Sequence, residues 1–221
     1  MKKIFKACIV ALVLCAGCND DNNDNTVLVK PSETGTFTDA DGESYKWVKY
    51  GDLYWMAENY RGGEYYNDDF EEDVTLYGNY YNFAQAKKNA PEGWRLPTDE
   101  DWQNLEQIFG MSASEAGTRD RRGGNLGEIL QSEETLNLKL GGLIIAFGRP
   151  TELHLRHLRI YGYYWTATED ATSTSTSAFF RKVSAVFPEI ERNSIVENIE
   201  NYEDLLPTHM NVRYVCSSRP K

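Results

Sequence analysis

Gly93-Trp94-Arg95-Leu96-Pro97-Thr98-Asp99-Glu100-Asp101-Trp102 is the stretch on which the fold turns. Thr98 is a good helix N-cap, because its hydroxyl can accept a bond from a free N–H of the first turn. Asp99, Glu100 and Asp101 follow at once and suit the positive end of the helix dipole. Trp102, Leu105 and Ile108 or Phe109 recur at helical spacing, and Gly110 stops the helix. One apolar stripe on an acid-rich helix needs a sheet to cover.

Working upstream, Tyr81 to Asn89 reads as a short helix ended by Pro91. Gly62 to Asp73 is acidic and loop-like. Tyr45-Lys46-Trp47-Val48-Lys49-Tyr50 alternates with period two, Gly51-Asp52 is a turn signal, and Leu53-Tyr54-Trp55-Met56 returns, which predicts a hairpin. Thr26 to Gly35 reads as linker, so the domain is expected over 36–221. Downstream, Leu126 to Leu130 is a candidate second helix. Leu143 to Phe147 reads as a buried strand and Tyr163 to Thr168 as another. Phe179 to Phe187 and Met210 to Cys216 read as the closing strands. Helices in the first half and strands in the second argue an α+β class, with short helices packed on small twisted antiparallel sheets.

The chain begins Met1-Lys2-Lys3-Ile4-Phe5-Lys6, followed by an apolar run from Ala7 to Gly17 and then Cys18. Lysines before a short apolar run have the form of a secretory signal. The run is about half the roughly 20 residues that a spanning helix needs. Ala16-Gly17-Cys18 resembles the lipobox of bacterial lipoproteins, although Cys15 stands where that pattern prefers Leu and Leu14 lies one place earlier. The expectation is a signal over 1–17, lipid on Cys18, and a polar acidic tether over 18–35. Acyl chains at about 0.8 kcal/mol per buried methylene would anchor the protein to the membrane. An acidic run directly after the cysteine also resembles the surface-export tag of some Gram-negative lipoproteins. The expected location is the outer membrane, at the cell surface.

The chain has 221 residues, 34 acidic and 23 basic, for a net charge of −11. Without the first 17 residues, which hold three lysines and no acid, 20 basic residues face 34 acidic ones, a net −14. Nucleic acid is therefore not an expected partner, since phosphate contacts need a basic face. Of the four cysteines only Cys216 lies in the domain; it cannot form an internal disulfide and reads as a small buried hydrophobe.

In order along the chain stand Phe37 with Asp39 and Asp41-Gly42, Tyr45-Lys46-Trp47-Val48, and Trp55-Met56-Ala57-Glu58-Asn59. Tyr77-Gly78 with Tyr81, the Gly93 to Trp102 stretch, Tyr164-Trp165-Thr166-Ala167-Thr168 and Val212-Arg213-Tyr214-Val215 follow. Together they resemble the Fibrobacter succinogenes major paralogous domain over about Thr36 to Ser217. The resemblance implies a C-type-lectin-like fold. It also implies a disulfide between a Cys-Pro and an Arg-Cys pair, but here those positions read Ala90-Pro91 and Arg213-Tyr214, so that bridge is missing. The Trp-Arg-Leu-Pro-Thr segment also resembles sulfatase-modifying enzymes of that fold, whose chemistry needs active-site cysteines that this domain lacks. The expectation is that the domain is not an enzyme.

His154 and His157 lie three apart in a stretch rich in arginine, with His209 far away; no companion ligands complete a zinc set. The acidic run of Asp68, Asp69, Glu71, Glu72 and Asp73 lacks the spacing of a calcium loop. No metal or cofactor is expected. The aromatics are the better lead: 14 Tyr and 5 Trp residues, with Tyr65, Tyr66, Tyr161, Tyr163 and Trp165 in or near predicted loops. Flat rings stack on sugar C–H faces or anchor protein contacts. Trp94, Trp102 and Trp165 also suit a core. The predicted recognition face is the loop from Thr151 to Tyr163 with the stretch from Glu169 to Ser177. Tyr161, Tyr163, Glu169 and Asp170 are its candidate ligand-binding residues. The expected function is non-catalytic binding of a glycan or a surface protein, as an adhesin does. A structural or accessory subunit of a surface appendage is the alternative.

Overall fold

In the computed structural model, residues 28–66, 74–147, 152–200 and 205–221 are described. The signal, Cys18 and the acidic run of residues 68–73 lie outside the described residues.

Among the described residues, five short helices stand between strands. In chain order the elements are β1 (Glu33–Thr38), β2 (Ser44–Tyr50), β3 (Leu53–Met56), α1 (Val74–Tyr77), α2 (Phe83–Lys88), α3 (Asp99–Ile108), α4 (Ala113–Ala116), β4 (Asp120–Arg122) and α5 (Leu126–Gln131). They continue with β5 (Leu143–Phe147), β6 (Glu152–Arg156), β7 (Tyr161–Glu169), β8 (Ser177–Ser184), β9 (Ile190–Val196), β10 (Asn198–Glu200), β11 (Leu205–Pro207) and β12 (Val215–Cys216). One antiparallel sheet has the order β1-β2-β3-β12 and another β4-β9-β8-β7; β5-β6 and β10-β11 are separate hairpins. The class is α+β, as expected.

The predicted hairpin at Gly51-Asp52 is β2-β3, with Tyr50 opposite Leu53. β1 already begins at Glu33, so the first strand takes in residues that composition assigns to the tether. Its own alternation places Phe37 in the core, and it pairs with β2 from Ser44 to Lys49. The stretch from Met210 to Cys216 is not a regular strand. Only Val215 and Cys216 pair with β3, while Met210, Asn211 and Val215 make single bridges to Tyr81, Tyr164 and Arg95. The segment thus stitches three elements together, which no uniform ladder could do.

Two apolar clusters lie on the two faces of β7. Tyr163 and Trp165 join Tyr45, Trp47, Tyr81 and Tyr214 in one; Tyr164 joins Trp55, Trp102 and Leu105 in the other. Because successive strand side chains point to opposite faces, a run of three aromatics at 163–165 can serve both. Trp94, Trp102 and Trp165 are all buried.

α3 carries its predicted cap. The Thr98 hydroxyl accepts from the Asp101 N–H at 3.1 Å, and the Asp101 carboxylate accepts from the Thr98 N–H at 2.6 Å. Asp99 does more than face the helix dipole. Its carboxylate is buried and takes bonds from Arg181 at 2.6 Å and Arg192 at 2.7 Å, while Glu106, two turns further along the same face, takes Arg181 at 2.6 Å and Arg122 at 2.7 Å. Two carboxylates of α3 and three arginines of β4, β8 and β9 therefore bind helix to sheet.

Candidate functional site

β7 begins where the chain leaves β6 by a tight turn. His157 holds a positive φ of 63° there, and Ile160 and Tyr161 both donate back to its carbonyl at 3.0 Å. Gly162 then passes the Lys139 carbonyl so closely that a Cβ would sit 2.1 Å from its oxygen. This approach pins the start of β7 and with it the direction of Tyr161.

On the face shared by Tyr161 and Tyr163, the strand register lays one row across the sheet. Tyr163 stands opposite Lys182, Lys182 opposite Glu191, and Glu191 opposite Arg121. Lys182 pairs with Glu191 and sits 4.9 Å from the Tyr161 ring centre. The Arg121 guanidinium lies over Phe187 at 3.9 Å. With Asp120, Ser184 and Glu189, these side chains line an open groove of about 390 Å³. Tyr161 is half-buried, Arg121 is exposed, and Glu189 directs one buried carboxylate oxygen with no hydrogen-bond partner among the described residues. The groove thus offers two aromatic walls and a floor of alternating charge.

The structure separates the four candidate residues. Tyr161 lines the groove. Tyr163 lies behind it, buried, its hydroxyl 2.9 Å from His157 Nδ1; burial first, then the charge of Glu191, raises its phenol well above the usual range. Burial and the nearby charges of Lys182 and Arg156 lower His157, so this imidazole favours the neutral form.

Glu169 and Asp170 stand at the far end of β7, up to about 26 Å of extended chain away. Glu169 is exposed and meets Lys87 at 3.6 Å. Asp170 is buried and turned inward: one oxygen takes Ser194 at 2.5 Å and Arg119 at 2.9 Å, the other takes Thr172 at 2.6 Å. Those bonds, from Ser194 and Thr172 first, hold its carboxyl far below the usual range.

The stretch predicted as a loop from Thr151 is largely strand from Glu152 onward, since β6 pairs residue for residue with β5. Leu153 and Leu155 alternate with polar neighbours, a period-two signal that the surrounding charge hides. β5, expected as buried, is so only at Leu143 and Ile144; Phe147 at its end is 58% exposed. His154 lies in β6 and His157 in the turn after it, while His209 is buried on another segment, its ring tilted against Tyr66 at 4.8 Å. Among the described residues no three His, Cys, Asp or Glu side chains are grouped to hold a metal ion, and no helix is long and apolar enough to cross a membrane. Cys216 is free and buried, and burial pushes its thiol up to about 11.

Sequence reasoning passed over Arg121, Lys182, Phe187 and Glu191. A signal was present: Lys182 alternates with Phe180 and Ala178 on β8, so the lysine had to share their face. Which strands lay beside it could not be read.

The family model described as Fibrobacter succinogenes major domain matches residues 48–216 of this chain. No curated protein and no solved structure matches it.

Proposed function

The chain belongs to the Fibrobacter succinogenes major domain family, and on that premise we propose that it is a non-catalytic glycan-binding module. Its frame is a variant of the C-type-lectin-like plan, held at the cell surface by lipid on Cys18 in the outer membrane. The observation that supports binding is the groove at the start of β7. Tyr161 presents a half-buried ring beside Lys182, Glu189, Glu191 and Arg121. Sugars need this combination, an apolar ring for their C–H face and charged or polar groups for their hydroxyls. A buried acceptor on Glu189 that lacks a donor suits a sugar hydroxyl. The lipid anchor rests on Ala16-Gly17-Cys18 after a short apolar run.

The test is a broad glycan array probed with the full chain extracted in nonionic detergent, with and without calcium. Tyr161 packs at the edge of one core cluster and meets Tyr163 edge-on, so Tyr161→Ala is expected to fold with a modestly lowered melting temperature. It should lose at least about tenfold in affinity, roughly 1.4 kcal/mol. Binding that survives in Tyr161→Ala would move the site elsewhere, and a blank array would favour a protein partner. Binding only with calcium would overturn the metal-free reading.

A further inference from the structure

A larger cavity, of about 660 Å³, opens below the β1–β2 turn and shares no lining residue with the groove. The rings of Phe37, Tyr60 and Trp94 wall it, and Asp39, Asp41 and Glu92 bring carboxylates to it. Phe37 and Trp94 meet at a tilt, ring centres 4.9 Å apart. Asp39 uses one oxygen locally, accepting the N–H groups of Asp41 at 3.0 Å and Glu43 at 2.9 Å, which shapes the turn. Its other oxygen is buried and has no hydrogen-bond partner among the described residues. Tyr60 is only 4% exposed, and its hydroxyl makes no hydrogen bond among the described residues.

Gly62 packs against both of these groups and brings them close together. A Cβ there would lie 2.6 Å from the Tyr60 hydroxyl and 3.1 Å from that free Asp39 oxygen. Burial, and then the charges of Asp39 and Asp41, push the Tyr60 phenol up to about 12, so it stays neutral in a negative field. A buried carboxylate oxygen without a donor is costly.

We propose that this cavity is a second ligand site and takes a small organic cation, an ammonium or guanidinium group. The cation would lie against the Phe37, Tyr60 and Trp94 rings, whose faces attract positive charge. It would donate to the free Asp39 oxygen and to the Tyr60 hydroxyl oxygen. Arg219 and Lys221 also line the cavity, but Arg219 is turned to Glu33 at 3.5 Å, and the three lining carboxylates outnumber the two cations. An anion or a neutral sugar would leave the Asp39 oxygen facing either like charge or a weaker donor.

The probe is cadaverine, titrated calorimetrically into the full chain in nonionic detergent, with acetate and glucose as controls. Saturable millimolar binding of cadaverine alone is expected. Asp39→Asn keeps the acceptor that shapes the turn while removing the charge, and should weaken binding about tenfold or more. Tyr60→Phe keeps the ring in its stack and removes only the hydroxyl, and should weaken binding several-fold. Tyr161→Ala should leave cadaverine binding unchanged, which separates this site from the groove. No saturable binding, equal binding of the three probes, or unchanged affinity in a folded Asp39→Asn or Tyr60→Phe protein would each overturn the proposal. Should Asp39→Asn fail to fold, Tyr60→Phe decides.

Discussion

Arg213 is fully buried, yet its hydrogen bonds run to neutral oxygens: Asn59 Oδ1 at 2.6 Å, Met56 O at 3.1 Å, Leu136 O at 2.8 Å and Asn137 O at 2.7 Å. The guanidinium serves as a fork that ties the end of β3 to the loop after α5. Burial lowers its pKa but leaves it charged. Arg213→Ala would strand four acceptors in the interior and should destabilise the fold by at least about 3 kcal/mol, since each buried unpaired group costs about 1–3. Arg213→Lys keeps the charge but not the fork, and should recover less than half of that loss. Urea titration of both variants measures this; full recovery by lysine would mean that charge, not geometry, is what the site requires.

At the scale of the element, α3 is held at two places. Its N-terminus is closed by the reciprocal Thr98 and Asp101 bonds, and its inner face is tied to the sheet through Asp99 and Glu106. Thr98→Ala breaks the first tie alone and should cost about 1 kcal/mol, read as a shift of the urea midpoint with an unchanged slope. A loss several times larger would show that the cap also sets the position of Asp99 against Arg181 and Arg192. β7 has the complementary role. It stands between the two core clusters and delivers Tyr161 to the groove at its one open end, so the site is built on a strand rather than on a loose loop.

For the whole molecule, the buried charges predict how stability depends on pH. Burial lowers His209 to about 4, so its contribution is fully present above the ordinary histidine value of about 6.5 and is lost as pH falls toward 4. Burial opposes ionisation of Asp99 and Asp101, but Arg192 with Arg181, and Arg95, outweigh it and lower both; Asp170 is lowered by its own hydrogen bonds. Their contribution is present above the ordinary aspartate value of about 3.9 and is lost as pH falls below it. Glu197 acts with the opposite sign, raised by burial and by Glu169, but the lowered groups outnumber it. The urea midpoint should therefore fall in two stages, below about pH 6.5 and again below about pH 4. His209→Gln should shrink the upper stage and leave the lower one, the remainder of the upper stage belonging to His157, which is lowered as well. A midpoint that climbs steadily from pH 7 to pH 3 would refute this account.

What the sequence determined by itself was local. The α3 stretch carried its cap, its stripe and its stop within a dozen residues, and Gly51-Asp52 between alternating runs specified the β2-β3 turn, because capping and turn chemistry act over three or four positions. The α+β class and the family followed from the order of such pieces. The groove was legible only through Tyr161. Lys182, Glu191 and Arg121 come from three separate strands, and only the register that pairs them puts their side chains in one row. The same tertiary pairing turned Asp170 inward to Arg119 and Ser194, gave Asp99 its arginines, and brought Asp39 and Tyr60 to one cavity. Each of these depends on contacts between residues far apart in the chain, which no spacing along the sequence records.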